Sequence, residues 1–127
     1  SPQMMMPPGW SREPEPQTAC RGLAAPEAVL QASPEGDFTV SLRAAWRSVS
    51  GGRSPEQAAA ACGLRREPAR AASYALRSER MGVTYAIEGT FVAAGDGLLQ
   101  LEMVAPVAKE PFVRDLYSAW VRAVRGE

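Results

Sequence analysis

An alternation of apolar and polar residues at positions 38–46 is the clearest pattern in this chain. Every second residue there is apolar: Phe38, Val40, Leu42, Ala44 and Trp46. Because strand side chains point alternately to the two faces of a sheet, the pattern predicts a β-strand with one buried face. A short apolar run at residues 28–31 precedes it, and turn-forming residues 34–37 separate the two. The two segments together predict a β-hairpin.

A second alternating region begins at residue 83. Its apolar face carries Val83, Tyr85, Ile87, Gly89 and Phe91. Residues 95–97, Gly-Asp-Gly, favour a tight turn, and the returning strand then directs Leu99, Leu101 and Met103 inward and Gln100 and Glu102 outward. Residues 69–76 predict a further strand, which we expect to end at a turn over residues 78–82.

Two segments predict helices. Residues 55–62 follow Ser54, a good N-cap, and Gln57 stands where a capping box places its partner. Residues 111–124 carry one apolar stripe at helical spacing. Its members are Val113, Leu116, Tyr117, Trp120, Val121 and Val124. Gly126 is expected to end this helix.

The elements predict a single α+β domain over residues 1–127. A first strand at residues 4–6, closed by residues 7–10, gives the order β-ββ-α-βββ-α. Hairpins dominate, so we expect a mainly antiparallel sheet whose buried side is roofed by the two helices. The chain opens at Ser1-Pro2 without an initiator methionine, which indicates a fragment or processed chain.

Charge and composition exclude several functions. The formal net charge is zero, so the usual electrostatic argument for nucleic-acid binding is missing. No apolar run is long enough to predict a transmembrane segment. The 14 basic residues include a single lysine, Lys109, which is typical of a GC-rich bacterial genome; selection for bidentate anion contacts is the alternative.

Candidate chemistry is sparse. With no histidine, the common catalytic triads and most catalytic zinc sites are excluded, and we expect no metal, no cofactor and no enzyme activity. Glu88 and Glu102, on neighbouring predicted strands, are interpreted as solvated acids rather than as a catalytic pair. Cys20 and Cys62 form either a disulfide, as in an exported protein, or two buried thiols.

Arginine is the remaining candidate for binding. Arg43 and Arg47 lie on the polar face of the strand at residues 38–46, whereas Arg65, Arg66 and Arg70 flank the strand at residues 69–76. If the two groups share a surface, they can hold a carboxylate, a phosphate or an acidic protein segment. Ordinary solvated arginines are the alternative.

The element order resembles that of the PsbP / Ran-binding Mog / DcrB-like superfamily. The resemblance depends on an early strand followed by Pro8-Gly9-Trp10, on a hairpin whose second strand is residues 38–46, and on the Ser-Pro-Glu helix start at residues 54–56. It also depends on the long paired strands around residues 95–97 and on the final aromatic-bearing helix, residues 112–124. The resemblance implies non-catalytic roles, such as assembly factors, small-GTPase binding, envelope proteins or Eag-type chaperones. No functional residue carries over.

From this resemblance we expect a non-enzymatic protein-binding, assembly or chaperone-like module of a bacterial protein, associated with the envelope or with secretion. The partner is another protein rather than a nucleic acid. The alternative is a small-ligand or lipid-binding domain whose apolar cavity is lined by residues 4–6, Leu99, Leu101 and Met103. The periplasm or cell envelope is favoured over the cytoplasm.

Overall fold

A five-stranded antiparallel sheet with two helices forms the fold. The computed structural model describes Cys20, residues 22–62 and residues 72–127. Its elements are β1 (Ala28–Ala32), β2 (Ser41–Arg47), α1 (Pro55–Cys62), β3 (Ser73–Arg80), β4 (Val83–Ala94), β5 (Gly97–Pro106) and α2 (Glu110–Arg125). The strands lie in the order β1-β2-β5-β4-β3. The predicted α+β class and element order are confirmed, while the strand predicted at residues 4–6 lies outside the described residues.

The two helices pack on opposite faces of the sheet. On one face, α1 contributes Ala58, Ala59 and Cys62 to a core with Tyr74, Ile87, Phe91 and Leu98. On the other, α2 contributes Val113, Tyr117 and Val121 to a core with Val40, Leu101, Met103 and Ala105. The expectation that both helices roof a single buried side is therefore wrong, because the sheet is buried on both sides.

The turn between β4 and β5 causes this difference. Ala94 pairs with Gly97, so only Gly95 and Asp96 form the loop. Each odd-numbered residue of β4 therefore pairs with an even-numbered residue of β5, as Ile87 does with Val104. A one-residue shift in register exchanges the two faces of a strand. Hence Ile87 and Phe91 face α1, while Leu101 and Met103 face α2.

The β3–β4 connection is also shorter than predicted. Met81 and Gly82 alone form the turn, both with positive φ, 49° and 79°, as the tight turns of hairpins require. Ser78, Glu79 and Arg80, which were predicted to be turn residues, instead pair with β4. The polar side chains of an edge strand can remain in solvent, so their polarity does not end the strand.

The predicted helix signals are confirmed. The Gln57 N–H donates to Ser54 Oγ at 3.2 Å, and the Ser54 N–H donates to Gln57 Oε1 at 2.9 Å, so the capping box is complete. Gly126 has a positive φ of 77°, and the N–H of Glu127 donates to the carbonyl of Arg122 at 2.9 Å. These are the bonds that close a helix C-terminus.

A glycine in β4 makes room for the largest buried side chain of β3. Tyr74 pairs with Gly89, and a Cβ built on Gly89 would overlap the Tyr74 ring. The ring is almost completely buried and contacts Phe91 at 5.9 Å between ring centroids. Gly89 is thus a packing requirement rather than a conformational one, since its φ is not positive.

We expect Gly89→Ala to destabilise the fold by about 1–3 kcal/mol, the usual cost of overpacking a core. The new methyl group must displace the Tyr74 ring and the hydrogen bonds of its hydroxyl. Urea denaturation followed by circular dichroism measures the change. Ala93→Thr, at an exposed position of the same strand, is the control and should stay within ~0.5 kcal/mol of the wild type. Equal stability of Gly89→Ala and wild type would contradict the packing argument.

Candidate functional site

α2 covers only the middle of its face of the sheet. The helix packs on β5 and β4. Five strands span about 19–20 Å, whereas a helix with its side chains is about 10–12 Å wide. Apart from the short 3-10 helix Val107–Lys109 that leads directly into α2, the described residues form no further helix on this face. A groove therefore runs along each side of α2, one over β1 and β2 and the other over β3 and β4.

The first groove is apolar. We call it the apolar groove and define it by Leu30, Leu42, Ala44, Phe112, Leu116 and Trp120. Leu30 of β1 lies opposite Ala44 of β2, and Leu42, Ala44 and Trp120 pack against the α2 core. Leu30 is 69% exposed, Phe112 79% and Leu116 53%. Exposed apolar side chains that form a contiguous patch mark interaction sites.

An ion pair shows which side of α2 faces the apolar groove. Lys109, two turns before Leu116, extends its ammonium group toward the loop that leads into β2, where Nζ lies 2.6 Å from Asp37 Oδ2 and 3.3 Å from Thr39 Oγ1. Residues two helical turns apart lie on nearly the same side of a helix, so Leu116 also faces β2. The hydrogen bonds from Lys109 and from Thr39 lower the pKa of the Asp37 carboxyl to about 2.

The second groove is polar. We call it the polar cleft; it is an open cavity of about 520 Å³ between α2 and the β3–β4 hairpin. Its side chains come from Ser73, Ala75 and Arg77 on β3, from Ala86, Glu88 and Thr90 on β4, and from Glu110, Arg114 and Tyr117 on α2. Small residues at positions 73, 75 and 86 leave the space open.

Two arginines and two glutamates form the charged part of the polar cleft. Arg114 Nε donates to Glu88 Oε2 at 3.1 Å, and its Nη2 donates to Glu110 Oε1. Arg77 Nη2 lies 3.7 Å from the other oxygen of Glu110. The hydrogen bond to Glu88 raises the pKa of Arg114. The four charges sum to zero, so the cleft has no net attraction for either sign of ligand.

Three hydroxyl groups line the rest of the polar cleft. Ser73 Oγ lies 2.9 Å from Thr90 Oγ1, which lies 2.9 Å from the Tyr117 hydroxyl, which in turn lies 3.2 Å from the Leu101 carbonyl oxygen. The Tyr117 hydroxyl donates to Thr90 Oγ1, and the Leu101 carbonyl oxygen lies within reach of the same hydroxyl. A serine oxygen has two lone pairs, so Ser73 can accept a further hydrogen bond whichever of Ser73 and Thr90 donates to the other. Burial raises the pKa of Tyr117.

A buried polar network occupies the α1 face. Arg47 donates from Nε to the Ala24 carbonyl at 2.7 Å and from Nη1 to Gln100 Oε1 at 2.8 Å. Gln100 Nε2 donates to the Tyr74 hydroxyl at 2.6 Å, and that hydroxyl donates to Glu102 Oε2. Burial, together with the Glu102 charge, raises the pKa of Tyr74. Burial also lowers the pKa of Arg47.

The candidate arginines fall into two groups. Arg43 and Arg47 share one face of β2, and Arg43 lies directly opposite Glu102 of β5. That face is the one that α1 covers, and Arg47 is buried rather than solvated. Arg65, Arg66 and Arg70 lie outside the described residues. Anion binding by these five arginines stays a prediction.

The interpretation of Glu88 and Glu102 as two solvated acids on one open face is wrong. The register pairs Glu88 with Met103 and Glu102 with Gly89, so the two carboxylates point to opposite faces. Glu102 is only 2% exposed and accepts from Tyr74, whereas Glu88 is held by Arg114 in the polar cleft. This separation excludes a joint catalytic role for the pair.

The two cysteines are joined by a disulfide, which decides between the two alternatives left by the sequence. The bond ties the segment before β1 to the last residue of α1. Gln100 Nε2 lies 4.0 Å from Cys20 Sγ, so the bond lies beside the buried polar network. Disulfides are typical of proteins in oxidising compartments.

Sequence reasoning missed the apolar groove because it assigned Leu116 and Val124 to the buried stripe of α2. Both are exposed. The signal was a second stripe at i, i+4 and i+8, Phe112, Leu116 and Trp120, beside the buried stripe. Leu101 and Met103, candidates for the wall of an apolar cavity, are fully packed under α2.

Comparisons with protein-family models, curated proteins and solved structures found no match to this chain. In the described part of the chain, no helix is both long enough and apolar enough to cross a membrane. Cysteine, aspartate and glutamate residues in the same ranges form no group of three or more that could hold a metal ion.

We expect Tyr74→Phe to destabilise the protein by about 1–3 kcal/mol, because Glu102 loses a donor in a buried position and Gln100 loses an acceptor. Urea denaturation monitored by fluorescence measures this. Tyr85→Phe is the matched control, since the Tyr85 hydroxyl makes no hydrogen bond to the described residues, and should change stability by less than ~0.5 kcal/mol. Equal effects of both substitutions would argue against the network.

Lys109→Met should raise the pKa of the Asp37 carboxyl from about 2 toward the 3.8 of an unperturbed aspartate, because the hydrogen bond from Lys109, which lowers this pKa most, is lost. A carboxyl whose pKa is lower in the folded state than in the unfolded chain stabilises the fold at pH values above its unfolded pKa. This stabilisation is lost as the pH falls toward the folded pKa of about 2. Carbon-detected NMR titration of the Asp37 carboxyl tests this. An unchanged Asp37 titration in Lys109→Met would show that the ion pair does not form in solution.

Proposed function

We propose that this chain is a non-enzymatic protein-binding module whose apolar groove receives an amphipathic helix of a partner protein. The observation that supports the proposal most directly is the exposure of Phe112 and Leu116 beside a half of the sheet that no described helix covers. The element order that resembles the PsbP / Ran-binding Mog / DcrB-like superfamily is compatible with such a role. An envelope- or secretion-associated location remains part of the proposal and agrees with the disulfide.

The width of the groove favours a helix as the occupant. β1 lies two strand spacings, about 10 Å, from β5, on which α2 packs, and packed helices lie about 8–10 Å apart, so a helix packed beside α2 would lie over β1. A helix laid parallel to α2 would cover Leu30 and Leu42 below it and Phe112 and Leu116 beside it. Apolar anchors at i, i+3, i+4 and i+7 of the partner suit this arrangement.

An added strand is the competing occupant and fits less well. β1 is an edge strand without a charged residue or proline, so its backbone is not protected against pairing. A strand paired with β1 would lie a further ~4.8 Å from α2. It would contact neither Phe112 nor Leu116 and would leave the most exposed part of the groove in solvent.

The proposal is tested by selecting peptides as long as α2, 16 residues, from a phage-displayed library against the immobilised protein. We expect the selected sequences to show helical apolar spacing and to become helical on binding. Leu116→Asp and Phe112→Asp should each weaken binding of the synthesised peptides by at least ~10-fold, since central apolar contacts dominate such interfaces. Met81→Asp is the control, because Met81 is 92% exposed at the β3–β4 turn, outside the groove.

Three results would count against the proposal. Selected peptides that bind Leu116→Asp and Phe112→Asp as well as wild type would place binding elsewhere. Peptides with alternating apolar residues, whose binding is abolished by backbone N-methylation along one edge only, would identify a strand on β1. A concentration-dependent dimer in sedimentation experiments, lost in Leu116→Asp, would make a second copy of the chain the occupant.

A further inference from the structure

The polar cleft on the other side of α2 is an open cavity with polar walls, and the proposed function does not use it. Its volume of about 520 Å³ lies within the usual range of ligand pockets, about 300–1,000 Å³. Its walls combine fixed charges with a chain of hydroxyl groups. The chemistry of these groups restricts the class of ligand.

A charged ligand fits the polar cleft poorly. An anion would have to compete with Glu88 and Glu110 for Arg114, and a cation would have to compete with Arg114 for the two carboxylates. Either exchange leaves a side chain of the cleft without its counter-charge. The zero sum of the four charges also removes any long-range attraction for an ion.

A neutral ligand with several hydroxyl groups can bind without breaking any of these contacts. A guanidinium has five N–H donors; two of those on Arg114 are hydrogen-bonded to the glutamates, and Arg77 lies 3.7 Å from Glu110 as an ion pair. Each carboxylate can accept about four hydrogen bonds, and the Ser73 oxygen can accept as well. Hydroxyl groups both donate and accept, so they match carboxylates, guanidinium groups and serine together.

We propose that the polar cleft binds a neutral, hydroxyl-rich small molecule of the size of a mono- or disaccharide. Its hydroxyl groups accept from Arg114 and Arg77 and donate to Glu88, Glu110 and Ser73. This site is separated from the apolar groove by α2, so it does not depend on the proposed partner helix. A variant that no longer binds a helix in the apolar groove should still bind the small molecule in the polar cleft, and the reverse should also hold.

Backbone-amide NMR titration of the isotope-labelled protein with glucose, galactose, maltose and cellobiose at millimolar concentration tests the inference, with inorganic phosphate and L-alanine as charged and zwitterionic probes. We expect at least one saccharide to bind, with shifts of β3 and β4 backbone amides, and neither charged probe to do so. Binding of phosphate or alanine alone, or of none of the four saccharides, would overturn the inference.

Ala75→Trp fills the floor of the polar cleft from β3 and should weaken saccharide binding at least ~10-fold. Ala119→Trp, at an exposed position of α2, is the matched control and should have no effect. Ser73→Ala, a smaller change, should weaken binding by a few-fold through the loss of one acceptor, which keeps the test valid if Ala75→Trp does not fold. Saccharide binding that both cleft variants retain in full would contradict the assignment.

Discussion

The register of β4 against β5 determines which side chains meet on each face of the sheet. It depends on a loop of two residues, Gly95 and Asp96, with Ala94 paired to Gly97. Gly95 supplies the positive φ that the first position of such a turn demands. A loop one residue longer would direct Ile87 and Phe91 toward α2 and Glu102 away from Tyr74. Both hydrophobic cores, the buried network and the polar cleft therefore depend on this one connection.

With this register, the central strands are buried on both faces, and the α1 face must accommodate polar residues of β2 and β5. Burying Arg47, Gln100 and Glu102 costs free energy unless each finds partners. Tyr74 provides the link, because its hydroxyl accepts from Gln100 and donates to Glu102. Because Gly89 has no side chain, the Tyr74 ring can pack directly against it. The Cys20–Cys62 disulfide holds the segment before β1 close to Gln100. The disulfide and the hydrogen bond from Arg47 to the Ala24 carbonyl both fix the segment before β1 on this face of the sheet.

Much of the fold follows from local patterns in the sequence, whereas the site does not. The alternation at residues 38–46, the capping box at Ser54 and the glycine after α2 each act within a few residues, so they predict that β2, α1 and the end of α2 exist. The start of β2 is predicted three residues too early, because the strand begins only at Ser41. Whether Glu88 and Glu102 lie on the same face of the sheet depends on the length of the β4–β5 turn. The sequence predicts a turn of residues 95–97, whereas the structure has a loop of only Gly95 and Asp96. The position of Arg114 beside Glu88 depends on how α2 crosses the sheet. Such contacts between distant residues leave no periodic signal, and only the exposed stripe of Phe112 and Leu116 could have been found from the sequence.

The two sides of α2 differ because the helix carries different residues toward each half of the sheet. On the side toward β2 the helix carries Leu116 and Trp120. Such apolar side chains gain free energy when a partner removes their surface from water. Toward β4 it presents Arg114, which already forms ion pairs with Glu88 and Glu110 and is stable in contact with water. An apolar surface gains free energy from any large, complementary apolar partner, whereas a polar cleft gains only from a ligand that matches its donors and acceptors. The first side therefore suits a macromolecule and the second a small polar molecule, and one helix separates the two.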